Sequence, residues 1–401
     1  MDRLLTGLES WLRLFQKCFT RRKAFRWFVV IIVSLMLRTD TLGVTSFVRA
    51  LDLKPSCYPD LLHFFRADSI KTDDLHTTLC QMILDDGHLY RLTNGRALLI
   101  GDGVKVAKEG RYMPAVKKLH QESEDSSKGE WIFGHMYGGV AAVVTNGKQT
   151  FATPISLTIQ DGLADAAEWK DSGLSSDSHT VRMITNAYDA AKSFGACVVV
   201  LDRLFLTVPA LNELYRRNSD PKGAGHLLEI VTRAKNNCIA YEEPPVHDGK
   251  KRGRPRKKGA AVKLMELFDT RKDDFTEAEM SIYGKERHVR LLSVQYLWGQ
   301  KLYKKLQFVL AETDGTKGIF VSTDLSLSAA EVIGIYEKRF KIETMFRQMK
   351  QECGTFGYHF WTKAQPKLNR FAHSDAPSPF KQIDADDTAA QKRILSTLRA
   401  T

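Results

Sequence analysis

The chain has 401 residues, 43% hydrophobic and 26% charged, with Lys+Arg 59 against Asp+Glu 47 and a formal net charge of +12. That length holds two or three domains with a sizeable core, and the basic balance points to a polyanionic partner, leaving nucleic acid and an anionic membrane surface both open. The six cysteines (Cys18, Cys57, Cys80, Cys197, Cys238, Cys353) are scattered, with no Cys-x-x-Cys pair and no clustering with His, which speaks against a zinc site or a disulfide framework and fits a reducing compartment.

Residues 1–95 carry helical periodicity with few strand signals. The first residues include Asp2 and Glu9 and no small-residue cleavage site follows, so no signal peptide is expected. The apolar run Trp27 to Leu37, bounded by Arg26 and Arg38, is too short to span a bilayer and reads as a buried core helix. "DTLGVTSFVRALDLKPSCYPDLLHFFR" breaks at Leu53-Lys-Pro55-Ser and resumes, which predicts two short helices around a turn. Such a pair suits DNA binding, and equally plain helical packing.

From residue 97 the texture changes to strands. "ALLIGD" is a short apolar run ending in Asp102, "GGVAAVVT" follows, and Asn146-Gly147 is a strong hairpin signal ahead of "QTFATPISLTI". Three antiparallel strands are predicted, the third at an edge because Pro154 denies a ladder donor. A helix over about 178–195 leads to "CVVVLD", whose β-branched run suits a strand buried on both faces. A further helix near 209–217 and a fifth strand within "LEIVTRAKNNCIAY" complete the order β-β-β-α-β-α-β. Residues 243–315 interrupt it with a basic stretch and strand-like runs, which reads as a mainly β inserted subdomain.

In "IYEKRFKIETMFRQMKQ", Tyr336, Arg339, Glu343 and Lys350 fall on one line of a continuous helix, within an arc of roughly 60° at about 100° per residue. Ile335, Ile342, Met345, Phe346 and Met349 form the adjoining apolar face, and Ser328 with Glu331 has capping-box spacing at the start. The plain reading is an Arg339–Glu343 ion pair at i,i+4 on a solvated face.

Two apolar strands, however, end in a carboxylate, Asp102 and Asp202. If those strands are neighbours, the two acids meet at the crevice where open α/β sheets place ligands, and Glu343 on an overlying helix makes a third. Three converging acids repel unless a cation joins them, and Mg²⁺ (or Mn²⁺) with oxygen ligands answers that need. Two ions then serve the attacking and leaving oxygens of a phosphodiester displacement, with Arg339 and Lys350 holding phosphates and Tyr336 orienting one.

These residues resemble those of the DDE transposases of bacterial insertion sequences. The line Tyr336-x-x-Arg339-x-x-x-Glu343-x-x-x-x-x-x-Lys350 is similar to the Tyr-Arg-Glu-Lys signature of one cut-and-paste lineage, and the likeness covers about residues 95–365, with "GDGVKVAKEGRYMP" and "LDRLF" around the first two acids. Phe340 stands where that lineage often has Trp. The resemblance implies an α/β fold with a ribonuclease-H-like mixed sheet flanked by helices. The expected division is a helical, DNA-binding domain at 1–95, a catalytic core at 96–242 and 316–365, the insertion at 243–315, and a polar tail at 366–401 where the lineage commonly carries further helices, here truncated. It also implies Mg²⁺ or Mn²⁺, two ions per site, held by Asp102, Asp202 and Glu343, and nicking, hairpin formation and joining of element ends. The implied partners are double-stranded DNA (terminal inverted repeats and target) and a second copy of the chain, in a bacterial cytoplasm and without a membrane. A nuclease that does not join ends shares the acids, and a transposase-derived binding protein shares the basic surface without cleavage.

Other candidates lie off that line. "GKKRGRPRKKG", with Arg252, Arg254, Arg256 and Lys257, resembles an AT-hook that follows the minor groove of A·T tracts, and a basic loop drawn to phosphates explains it as well. Trp298 in "VQYLWGQ" is a candidate for stacking on a flipped base, a role the lineage gives an insertion tryptophan, with core packing as its other reading. Lys105, Lys108 and Arg111 either grip phosphates near the cleaved bond or are simply exposed, and His135 and His359 sit among aromatics without ligand spacing, as structural residues.

Overall fold

The computed structural model of the chain describes residues 2–40, 43–65, 67–121, 129–245, 255–357, 359–370 and 377–399. It opens with α1 (Asp2–Leu14), α2 (Arg22–Leu37), α3 (Val44–Ala50), α4 (Cys57–Phe64) and α5 (Thr72–Asp85). α3 and α4 are the predicted pair around the Pro55 turn. Phe19, Ile31, Phe47, Leu61 and Phe64 form their shared core. The expectation that the Trp27–Leu37 run is buried is corrected: within α2 only Ala24, Ile31 and Ser34 are buried, and Met36 and Leu37 at its end are exposed. One stripe of a 16-residue helix suffices to cover this small cluster, and Arg22, Lys23 and Arg26 face solvent. Among the described residues no helix is long and apolar enough to cross a membrane.

The next elements are β1 (Ala97–Ala107), β2 (Lys117–His120), β3 (Trp131–Thr145), β4 (Thr150–Ile159), the single turn α6 (Ala164–Ala167), α7 (His179–Phe194), β5 (Cys197–Val200), α8 (Val208–Asn218) and β6 (Leu228–Arg233). β1, β3 and β4 are antiparallel, and β5 and β6 run parallel to β1. The Asn146-Gly147 turn forms, with Asn146 Oδ1 accepting the N–H groups of Lys148 and Gln149 at 3.1 and 2.8 Å. β4 pairs with β3 on one side, and its register slips where Ala141 opposes Pro154 and Val140 opposes Ser156. The missing donor of Pro154 thus lies at a bulge, where no ladder bond is lost. β2, four residues long, gives too short a pattern to have been read from sequence.

The chain continues through β7 (Ile239–Tyr241), β8 (Ala261–Lys263), α9 (Leu267–Thr270), β9 (Thr276–Ile282), β10 (Lys285–Trp298), β11 (Lys304–Thr313) and β12 (Thr316–Ser322). These strands extend the sheet of the core. β12 pairs with β6 through Phe320–Arg233 and Ser322–Val231, giving the order β2-β3-β1-β5-β6-β12-β11-β10-β7-β8, with β4 on β3 and β9 on β10. The described residues of 243–315 are mainly β and join the sheet of the core through β11 on β12. A large mixed sheet with helices on both faces is compatible with a ribonuclease-H-like fold.

Residue parity separates the faces. Ala97, Leu99, Cys197 and Val199 pack with α5, α7 and α8. Leu98, Ile100, Val198 and Val200 pack beneath α10 (Ala329–Glu337) and α11 (Phe340–Gln351). The capping box at Ser328 is complete: its Oγ accepts the Glu331 N–H at 3.2 Å, and Glu331 Oε2 accepts the Ser328 N–H at 2.8 Å.

The continuous helix expected over Tyr336 to Lys350 is corrected to two. Lys338 and Arg339 form a turn between α10 and α11, with N–H bonds three residues back, Lys338 to Ile335 and Arg339 to Tyr336. The line is therefore divided between two helices, with Tyr336 on α10, Arg339 in the turn, and Glu343 and Lys350 on α11.

Part of the polar tail is packed. A 3₁₀ turn (Pro379–Gln382) and α12 (Thr388–Arg399) bury Phe380 and Ile394 against Ala166.

Candidate active site

β1 and β5 are parallel neighbours, with Ala97 beside Cys197 and Ile100 beside Val200. The register that sets Ile100 by Val200 carries Asp102 and Asp202 two residues further along the two chains. The expectation that both strands end at their acid is corrected, because β1 runs on to Ala107 with Asp102 in mid-strand, paired to β3, while β5 ends at Val200. By parity with Ile100, Asp102 points to the face covered by α10 and α11, where it meets Arg339. Asp202 lies just past the end of β5, and its charge acts on Asp102 and on Tyr336 of α10. Asp202 leads a 3₁₀ turn (Arg203–Phe205), and its carbonyl accepts the Thr232 hydroxyl at 3.0 Å, tying that strand end to β6.

Asp102 Oδ1 accepts its neighbour Gly103's N–H at 2.8 Å, and Oδ2 accepts from Arg339 Nη1 at 3.0 Å. The other amino group of Arg339 donates to Glu343 Oε1 at 2.6 Å. The i,i+4 pair read from the sequence therefore exists, and it is half of a bridge that ties strand to helix. Burial pushes the Asp102 carboxyl up to about 6. Arg339 and the Gly103 N–H act against that rise, and the negative charges of Asp202 and Glu343 add to it. For Arg339 burial acts to lower the pKa, and the charges of Asp102, Tyr336 and Glu343 overcome it, leaving it above its ordinary value. All three acids thus share one electrostatic environment.

Tyr336 lies half-buried, its ring edge-on to Phe320 with centroids 5.0 Å apart. Burial raises its hydroxyl pKa, with Asp202 also raising it and Arg339 and Arg233 opposing. Arg233, the last residue of β6, is a cation beside this site that sequence reasoning missed; as the end of an apolar run it gave no pattern of its own. Lys350 is exposed, two turns beyond Glu343 on α11, and is not drawn into the carboxylate cluster.

The remaining candidates scatter. Trp298 is half-buried against the core on the α7–α8 face, across the sheet from Glu343. Its side chain hydrogen-bonds Cys238. Lys108 corrects both readings offered for its cluster: it is buried, its Nζ donates to the Phe356 carbonyl at 2.5 Å, and burial pushes its pKa down to about 8. Lys105 Nζ donates to the His120 carbonyl at 2.8 Å, and Arg111 is exposed. His135 is fully buried, with Nε2 donating to the Pro114 carbonyl at 2.9 Å, the Tyr137 hydroxyl on Nδ1 at 3.2 Å and Phe360 stacked on its ring. His359 is exposed. Arg252 and Arg254 lie outside the described residues, and Arg256 and Lys257 are exposed. Lys258 caps the Tyr241 ring at 3.6 Å.

The donor chemistry of Asp102, Asp202 and Glu343 is all carboxylate oxygen, which fits a hard divalent cation. Their arrangement is a different matter. Among the described residues no three His, Cys, Asp or Glu side chains converge on one ion position. The guanidinium of Arg339 bridges Asp102 and Glu343 instead.

A family model described as DDE superfamily endonuclease matches residues 14–287, more than half of the chain, and the chain belongs to that family. The matched span contains Asp102 and Asp202 and ends before α10 and α11, so Glu343 rests on the geometry alone. No curated protein matches the chain.

Proposed function

We propose that this member of the DDE superfamily endonucleases is a DNA transposase that cuts the ends of its element and joins them to target DNA. The observation that carries the reading is the bridge itself. Residues 241 apart in sequence, Asp102 on a strand and Glu343 on a helix, meet at the two ends of one guanidinium, with Asp202 just past the end of the adjacent strand.

In this reading Asp102, Asp202 and Glu343 hold two Mg²⁺ or Mn²⁺ ions. When bound, such ions supply the charge that activates an attacking oxygen and stabilises a leaving one. The chain's own residues set the geometry. Arg339 offers a planar fork to a phosphate, Lys350 a point charge further along the helix, and the Tyr336 hydroxyl a donor to a phosphate oxygen. The sheet face and α11 exclude water from one side of Asp102. A first cut frees a 3′-hydroxyl, whose attack across the duplex forms a hairpin; the reopened end then attacks the target. The net charge of +12 and the exposed Arg256 and Lys257 suit a duplex partner. A homodimer pairing two ends, in a bacterial cytoplasm, completes the proposal.

The test is incubation of purified protein with Mg²⁺ or Mn²⁺ and labelled DNA carrying the ends of its own element, resolved on a denaturing gel beside Glu343→Gln and Asp202→Ala. Hairpin and joined products from the unaltered protein alone are expected. Metal-dependent cleavage surviving in Asp202→Ala would overturn the assignment. Cleavage without joining would identify a nuclease, and binding without cleavage a DNA-binding derivative.

A further inference from the structure

The Arg339 guanidinium places a positive charge between Asp102 and Glu343, donating to them at 3.0 and 2.6 Å. We infer that Arg339 is a built-in counter-ion that must leave these carboxylates before a divalent ion binds, and that a DNA phosphate draws it off, so that DNA and metal load the site cooperatively. The inference rests on the reading of Asp102 and Glu343 as metal ligands.

Three features support it. Arg339 holds Asp102 Oδ2 with one amino group and Glu343 Oε1 with the other, so an ion shared by the two carboxylates would take the place the guanidinium now fills. The pair is sheltered, with the side chains of Arg339 and Asp102 only 20% and 23% exposed, where an ion pair is weakly screened. Arg339 also sits in the short turn between α10 and α11, outside the regular helices, so its side chain can be re-aimed without unwinding either one.

Metal alone would leave a buried guanidinium beside a divalent cation. A phosphate relieves that repulsion, because it accepts the guanidinium fork and adds negative charge between the two cations. Coupling of this kind is reciprocal: whatever DNA adds to metal affinity, metal adds to DNA affinity.

The experiment measures Mn²⁺ binding to the full chain by electron paramagnetic resonance, with and without duplex DNA, for the unaltered protein, Arg339→Gln, Arg347→Gln and Glu343→Gln. Arg347 stands four residues after Glu343 as Arg339 stands four before it, but on the exposed side of α11, so it controls for a general change of field. Without DNA, Arg339→Gln should bind Mn²⁺ about tenfold more tightly than the unaltered protein, and DNA should then add little. Arg339→Lys keeps the charge without the two-ended fork and should fall between; it carries the test if Arg339→Gln does not fold. Equal affinity for Arg339→Gln and the unaltered protein, or an equal gain in Arg347→Gln, overturns the inference. Undiminished Mn²⁺ binding in Glu343→Gln would instead overturn the underlying ligand assignment.

Discussion

Gly139 faces Asp102 across the β1–β3 ladder, and the ring of Phe346 rests where a side chain on Gly139 would lie. A Cβ built there comes within 2.8 Å of two carbons of that ring. Phe346 is three residues beyond Glu343, so bare backbone at Gly139 lets α11 settle close enough for Glu343 to share a guanidinium with Asp102. Gly139→Ala should therefore lift the helix or turn the ring, costing about 1–3 kcal/mol of stability. A shift of about 1 Å should cut DNA cleavage by about 10²-fold, although no ligand or phosphate-binding residue has changed. Thermal melts and single-turnover cleavage check this together; a rate unchanged in a folded variant would show that the close approach does not matter.

Ser328→Ala removes one half of the capping box at the start of α10 and leaves Glu331 with its bond from Thr93. The expected cost is about 1 kcal/mol, a fall of about 1 °C in the midpoint of thermal unfolding for a chain of this length. Because α10 carries Tyr336 and leads into the Arg339 turn, cleavage should weaken in the same variant, with affinity for DNA kept. A stability loss beyond about 3 kcal/mol would mean that Ser328 does more than cap.

Much of this site was legible because its signals are local. Two apolar runs, the second of them β-branched, stop at Asp102 and Asp202, and the apolar residues around Glu343 repeat at helical spacing. Their meeting was conditional on strand adjacency, which follows from the Ile100–Val200 register and not from either run alone. What stayed illegible depends on contacts distant in sequence. Nothing at Arg339 announces Asp102, 237 residues earlier. The break at Lys338 contains neither Gly nor Pro, so helical periodicity runs through it unmarked. Residues 243–315 look separate from the core because their sequence interrupts a pattern, yet backbone pairing of β11 with β12, and of β12 with β6, carries the sheet across. Lys108 reads as a surface cation by type and is buried, where the Phe356 carbonyl, on the segment after α11, accepts a hydrogen bond from it.

The basic stretch gives a prediction in salt. Arg252, Arg254 and Arg256 replaced together by Ala should make the plot of log affinity against log salt shallower by about 2 to 3, near 0.9 for each phosphate no longer neutralised. Lys258 is left out because it already caps the Tyr241 ring. A larger loss of affinity on A·T-rich than on G·C-rich duplex would favour groove binding over plain phosphate attraction. An unchanged slope in a filter-binding titration would remove the stretch from the DNA interface.

The last prediction concerns acid. Burial pushes the His135 pKa down to about 4, with the charge of Lys108 adding and the Pro114 carbonyl opposing. Its folded pKa lies below the ordinary value of about 6.5, so the unfolded chain takes up the proton first. The stability tied to neutral His135 is therefore fully present above pH about 6.5 and is lost as pH falls towards 4, amounting to about 3 kcal/mol. Asp102 acts in the opposite sense over nearly the same window. Its carboxyl, raised from 3.8 to about 6, is protonated first in the folded chain, so acid relieves the cost of burying it. The two trends offset each other in the unaltered protein, whose overall acid curve is a poor readout of either. His135→Gln separates them. It should be less stable at pH 7, where the bonds to Pro114 and Tyr137 are made, and the gap should close by about 3 kcal/mol between pH 6.5 and 4. Urea unfolding of both proteins across that range measures the gap directly; a gap independent of pH would show that His135 does not titrate as its burial requires.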